Sequence, residues 1–166
     1  MISASAKANP RLRDLHRLMT PSKEAVADAT EDADKVFRRI ERTLFSSQGK
    51  SGGKPWPALS TRYAKWKARR FPGRKILTLR GDLRRSLTDK GGEHLAHSFR
   101  GPRGWVIRLG TSHWKAPLHA MGAGNLPVRR PIQLTGADRE ALAGAVSRAF
   151  IPHVQRAVRA MAAGAR

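Results

Sequence analysis

Apolar residues recur at three-to-four spacing from Val26 through Ala29, Ala33, Val36, Phe37 and Ile40 to Leu44. On a helix, side chains three and four apart share a face, so these positions form one continuous stripe. Lys23, Glu24, Asp28, Glu31, Asp32 and Lys35 fall on the opposite face, and Glu31 with Lys35 makes a well-oriented i,i+4 pair. Thr20-Pro21 supplies a cap and a first-turn proline, which predicts that a long helix opens there. Asn9-Pro10 repeats the device before a short helix through Leu12, Leu15 and Leu18, inside an N-terminal arm of residues 1–20.

The next stretch has a different texture. Residues 46–55, SSQGKSGGKP, offer nothing to bury, so 46–56 is expected to project as a mobile loop. Ser60 is placed to cap a short helix whose Tyr63 and Trp66 share a face, and Pro72-Gly73 ends it. Thr78 is placed to cap a second helix through Leu79, Leu83 and Leu87, in which Gly81 costs roughly 1 kcal/mol against alanine.

From residue 93 the period becomes two. Leu95, His97 and Phe99 alternate with His94, Ala96 and Ser98, while Trp105, Ile107 and Leu109 alternate with Val106 and Arg108. Gly101-Pro102-Arg103-Gly104 between them is turn chemistry, so 93–110 reads as a β-hairpin. An isolated hairpin is marginal in water, and a third strand around Val128–Leu134 would support it. Residues 111–127, with two glycines and two prolines, read as a long projecting loop. Thr135 and Asp138 then form a capping-box-like start to a helix through Leu142, Val146, Phe150, Val154 and Val158. Pro152 is expected to bend that helix or end its first half. The fold class is α+β: a small antiparallel sheet packed with a long N-terminal helix and a C-terminal helix, as one domain over 1–166.

Composition narrows the function. A 166-residue chain with 40% apolar residues can bury a core, though 6% aromatic makes it a lean one. No window reaches the roughly 18 apolar residues of a membrane span, and no N-terminal apolar run is long enough for a signal peptide. With no cysteine there is neither a disulfide framework nor a thiolate metal site. A cytoplasmic origin is the simplest expectation. The charge is the outlier, with 33 Lys and Arg against 12 Asp and Glu. It concentrates in residues 51–110, which hold 15 basic and three acidic side chains, and no acid follows Glu140. Such self-repulsion favours a chain that rests against nucleic acid or acidic protein, the alternative being a merely solvated basic surface.

Catalytic chemistry is hard to build from these residues. His94 and His97 lie three apart in a strand, on opposite faces, where they cannot share an ion. Asp82, Asp89 and Glu93 are the only acids between residues 42 and 137 and sit among arginines, which suits ion pairing better than proton transfer. No nucleophile elbow, phosphate loop or dinucleotide fingerprint occurs, so neither enzyme activity nor a cofactor is expected. Lys65, Lys67, Arg69, Arg70, Arg74 and Lys75 are candidate contacts to DNA or an acidic partner. Tyr63 and Trp66 among them could stack on bases, but the stronger expectation is that they anchor their helix to the core. Pro127-Val128-Arg129-Arg130-Pro131 displays two arginines on a stiff backbone, suited either to an ordered intermolecular contact or to pairing within the subunit with Asp138 or Glu140.

Three pieces of sequence carry a resemblance. Residues 54–87 run through Trp56-Pro57-Ala58-Leu59-Ser60, Ile76-Leu77 and Gly81-Asp82-Leu83 to Ser86; Gly110-Thr111 is followed by Ala116-Pro117-Leu118-His119-Ala120-Met121-Gly122; Pro127 to Pro131 closes the set. In order and spacing, over roughly residues 22–155, these resemble the phage virion morphogenesis family, also called tail-completion proteins. Trp114-Lys115 stands where the family carries an aromatic directly before the alanine, and an extra arginine lies inside the Pro-Arg-Pro element.

The resemblance implies a structural virion protein at the head–tail neck or tail end, assembled in the host cytoplasm and not an enzyme. It implies a ring, expected to be a hexamer, that meets head-completion or connector proteins and tail terminator or tail tube proteins, with genome DNA in its lumen. Arg129, Arg130, His119 and Trp114 are then the candidate interface residues. The rival reading is a nonspecific basic nucleic-acid-binding protein.

Overall fold

The computed structural model describes residues 20–102 and 104–164, and the short N-terminal helix expected within 1–20 lies outside them. The long helix α1 spans Lys23–Ser47. Its N-cap is Ser22, whose hydroxyl accepts from the Ala25 amide, so it opens two residues after the expected Thr20. Val26, Ala29, Ala33, Phe37 and Leu44 of the apolar stripe are buried, joined by Ala25 and Phe45. The helix stops at Gln48, which turns left-handed at φ 55° and, with Gly49, returns its amide to the Leu44 carbonyl.

The segment after α1 does not project. A 3-10 turn at Lys50–Gly52 folds it back, the Trp56 amide donates to the Gln48 carbonyl, and the Gln48 side chain accepts from the Ile76 amide. Trp56 drops into the core at 5% exposure, its ring edge-on to Phe45 at 5.2 Å. That buried tryptophan pins a segment whose own composition had predicted mobility.

Helix α2 spans Thr61–Arg70, capped as expected by Ser60. Helix α3 is only Asp82–Thr88. Gly81, at φ 89°, stands at its N-cap and so costs the helix interior nothing, while Thr78 donates to the Lys75 carbonyl instead of capping. Strands β1, His94–Gly101, and β2, Gly104–Thr111, pair antiparallel from His94↔Thr111 to Gly101↔Gly104, the hairpin its alternation predicts.

No third strand joins them among the described residues. The support comes from α1 and α3: His94 sets one ring nitrogen 2.6 Å from Asp34 and the other 3.2 Å from the Ser86 carbonyl, and Thr111 donates to Ser86. Residues 128–134 stay outside the sheet and bond instead to the 56–58 segment and to the helix that precedes them.

The expected loop 111–127 contains that helix, α4, at Lys115–Met121. Pro117 sits in its first turn, where an amide has no intrahelical partner to lose. Helix α5, Gly136–Gly164, opens on the expected reciprocal cap, with the Asp138 amide on the Thr135 hydroxyl and the Thr135 amide on the Asp138 carboxylate. It runs on through Pro152. Antiparallel to α1, it packs its small residues Ala145 and Ala149 inward, and His153 meets Asp28 at 2.8 Å. Phe37, Leu44, Phe45, Trp56, Leu83 and Leu87 form the core cluster, onto which Leu109, Ile132 and Leu142 pack.

Candidate interface

The three sequence pieces that carry the resemblance meet in space. The Trp56 indole N–H donates to the Arg130 carbonyl at 2.9 Å. Arg129 answers from the other side: its Nε donates to the Pro57 carbonyl at 2.8 Å and its Nη2 to the Ala58 carbonyl at 2.7 Å. The Arg129 amide in turn donates to the His119 carbonyl at the end of α4. Gly122 caps α4 at φ 69°, and a Cβ there would lie 2.9 Å from the Leu126 carbonyl, so the return of the chain toward Val128 requires glycine.

This interlock encloses a cleft of about 670 Å³ between α2, the 76–83 segment and the 115–129 segment. Its walls are largely apolar, with Leu59, Leu77, Leu79 and Leu126 among them. Leu77 holds φ 58°, a left-handed conformation that costs a branched apolar side chain about 1–2 kcal/mol and that the surrounding packing must enforce.

Among the charged groups of the cleft wall, cations predominate: Lys67, Arg80, Lys115 and Arg129 against Asp82. Lys67 and Arg129 are each 4% exposed, and among the described residues neither has a carboxylate within ion-pair distance. Lys67 donates its ammonium to the Lys75 carbonyl. Burial, then the charges of Arg129 and Arg74, pull its pKa below the usual lysine value. Burial likewise pulls the Arg129 guanidinium down, with Tyr63 opposing. His119 is held below the ordinary histidine value by burial and by Arg129 and Lys115, so its ring is neutral near pH 7. Its Nδ1 is buried without a partner among the described residues. Asp82, the one carboxylate in the cleft wall among the described residues, pairs with Arg85.

The expected surface of α2 is inverted. Tyr63 and Trp66 are 39% and 44% exposed and stack on each other at 5.3 Å, with Phe71 beyond Trp66 at 5.8 Å. Lys67 takes the inward position, because its aliphatic stem can line the cleft while its ammonium finds a carbonyl. Lys65, Arg69, Arg70 and Arg74 are exposed, and Lys75 reaches the Ser46 carbonyl at 2.6 Å. Lys67 is therefore removed from the set of cations that can grip an external phosphate.

The four interface candidates separate as well. Arg129 is buried on carbonyls of its own subunit, neither at the surface nor on Asp138 or Glu140. Arg130 is exposed. His119 is half-buried on the cleft, and Trp114 is 63% exposed with the Lys115 ammonium 5.3 Å above its ring. Met121, Leu126 and Val128 add exposed apolar surface on the same stretch, and Ile151, Val154 and Val158 form a second exposed stripe on α5.

The sequence model of the phage virion morphogenesis family matches residues 10–151, a span that contains the whole interlock and its cleft. The chain belongs to the phage virion morphogenesis family. No curated protein and no solved structure matches it. Membership makes it a phage virion-assembly protein, of a structural family. The Ala116–Gly122 piece of the resemblance runs through α4 to the bend at its end, and the Pro127–Pro131 piece is the strap that ties this bend to Trp56.

Sequence reasoning missed Glu41. It is fully buried on α1, at the spacing of Phe37 and Leu44, and neither carboxylate oxygen has a hydrogen-bond partner among the described residues. Burial and then the Asp138 charge push its pKa up to about 8. Its place in the apolar stripe was the available signal.

Proposed function

We propose that this protein forms a ring, a hexamer, at the head–tail neck or tail end of a tailed phage, with genome DNA passing through the lumen. The family match over residues 10–151 carries the reading. Two exposed apolar surfaces, Met121-Leu126-Val128 and Ile151-Val154-Val158, support it, because a closed ring needs two different surfaces that meet in heterologous contacts. Its neighbours would be head-completion or connector proteins on one side and tail terminator or tail tube proteins on the other. The function is structural, with no cofactor. Light scattering on the purified protein tests ring order. Electron microscopy of phage deleted for the gene tests place, the expected product being full heads and finished tails left unjoined. Monomers at all concentrations together with normal joining would end the proposal.

One observation favours a second reading. The exposed Tyr63–Trp66 stack among Lys65, Arg69 and Arg70 has the chemistry of a single-strand-binding face, cations for phosphates and rings for bases. In a neck protein the same face suits the lumen. In a free nucleic-acid-binding protein it would give tight duplex or single-strand affinity that falls steeply with salt.

A further inference from the structure

We propose that the cleft between α2 and the 115–129 segment is a docking site for an extended segment of a neighbouring protein, one carrying an Asp or Glu flanked by apolar side chains. Two buried cations, Lys67 and Arg129, line this cleft with no carboxylate of their own among the described residues. They are near enough to each other for their charges to repel. Carbonyl groups take one N–H of Lys67 and two of Arg129, which leaves further donors on both and two like charges uncompensated in a largely apolar wall. A buried charge without its opposite is costly, and an entering carboxylate removes that cost while its apolar neighbours cover Leu59, Leu77, Leu79 and Leu126. The unpartnered His119 Nδ1 supplies a further polar contact in the same wall.

Other occupants fit less well. A duplex presents its phosphates on a broad convex surface, and cations 4% exposed within a concave cleft are out of its reach. Residues 1–19 of the chain carry four Lys and Arg against one Asp, the wrong sign. No described acid of a second copy sits in such a segment: Glu24, Asp28, Glu31, Asp32, Asp34 and Glu41 are on α1, Asp82 on α3, Asp138 and Glu140 on α5, and Asp89 and Glu93 have Thr88, Lys90, Gly92 and His94 beside them. The segment therefore comes from a different protein. The virion reading supplies only where that protein is found, not the chemistry of the cleft.

The test is fluorescence polarisation with the purified full chain and a panel of labelled heptapeptides. Each has a central Glu flanked by Leu, Ile, Val or Phe, and each is paired with a twin carrying Gln. At least one Glu peptide is expected to bind about tenfold more tightly than its twin, the scale of one charge-assisted hydrogen bond. Lys67→Met keeps the aliphatic stem and should bring the Glu peptide to the level of its twin. The Lys75 carbonyl it vacates still accepts from Thr78, so the fold should stand, as a melting curve will show. Should that variant not fold, Leu126→Asp at the exposed rim places a resident carboxylate at the mouth and should weaken the Glu peptide equally.

Equal affinity for the twins, or no binding by any peptide, overturns the proposal. So does displacement of the peptide by a short DNA duplex, which makes the cleft a phosphate site. An oligomer that Lys67→Met dissolves into monomers overturns it too, since that variant leaves the exposed Met121-Leu126-Val128 surface intact and a second copy is then the occupant of the cleft. A tight Glu peptide together with normal joining in gene-deleted phage would sink the virion placement and leave the cleft intact.

Discussion

Trp56 and Arg130, 74 residues apart in sequence, are joined by a 2.9 Å bond from the indole N–H to the backbone carbonyl. With the two bonds from Arg129 to the Pro57 and Ala58 carbonyls, this makes a cross-tie that closes one end of the cleft. The ring of Trp56 belongs to the core while its single polar atom belongs to the strap. One residue thereby couples the packing of α1 to the geometry of the cleft.

Trp56→Phe should keep most of the packing against Phe45 and lose the bond. We expect a cost of about 1–3 kcal/mol, from the unsatisfied carbonyl and the small void together. Gln133 also donates to the Arg130 carbonyl, at 3.2 Å, which places the cost toward the lower end. Hydrogen exchange should report the change at residues 128–132 more than in α5. Uniform deprotection across the whole molecule would show that the tie serves the core alone.

Glu41 predicts an unusual pH dependence. Its folded-state pKa of about 8 lies above the ordinary glutamate value of 4.5, so the folded protein holds the proton more tightly than the unfolded chain. The favourable contribution is fully present below about pH 4.5 and is lost as pH rises through about 8. Glu41→Gln removes the ionisation and keeps the shape. Relative to this variant, the natural protein should lose on the order of a few kcal/mol between about pH 5 and pH 9, read from paired melting curves. Parallel curves would mean that the carboxylate is relieved by water or by motion of α5.

The elements legible in the sequence are those decided by local period. The stripe of α1, the hairpin alternation around Gly101 and Gly104 and the Thr135–Asp138 cap each depend on neighbours a few residues away. What escaped was decided at long range. Residues 128–134 have the alternation of a strand, yet their partners are an indole, a pair of loop carbonyls and the end of α4. In α2, a ten-residue helix with two aromatics on one face and cations along its length, Lys67 turns in to the Lys75 carbonyl and Trp66 stays out, a choice made by a partner outside the helix. Helix α4 was hidden by Pro117, a helix breaker in the one turn where it breaks nothing.

The exposed aromatic face of α2 makes the nucleic-acid question decidable. Trp66→Ala should change the melting behaviour by less than about 1 kcal/mol, since the ring is 44% exposed. If the Tyr63–Trp66 stack meets bases, the same change should cost single-stranded DNA about 1–3 kcal/mol of binding and leave duplex affinity nearly unaltered. Lys65→Ala, Arg69→Ala and Arg70→Ala should act on both forms and flatten the salt dependence by roughly one unit of slope for each phosphate no longer neutralised. Unchanged single-strand affinity in the Trp66 variant would remove base stacking from the role of this face.

Arg129 and Arg130 are adjacent and chemically identical, and their environments assign them different work. Arg129→Ala withdraws a buried guanidinium from two carbonyls and opens the cleft wall, so it should cost about 2–4 kcal/mol of stability before any partner is considered. A variant lacking both arginines cannot separate folding from assembly. Arg130→Ala can. Its side chain is exposed, and the carbonyl that holds Trp56 remains, so melting should stay within about 0.5 kcal/mol of the natural protein. If Arg130 pairs with a carboxylate across a subunit or partner boundary, phage carrying that single substitution should accumulate separate heads and tails despite normal levels of folded protein. Restoration by Arg130→Lys would show that charge suffices, whereas failure of lysine would point to bidentate pairing. Normal virion yield from Arg130→Ala would exclude this arginine from the assembly contacts and leave Trp114 and the exposed Met121, Leu126 and Val128 surface to carry them.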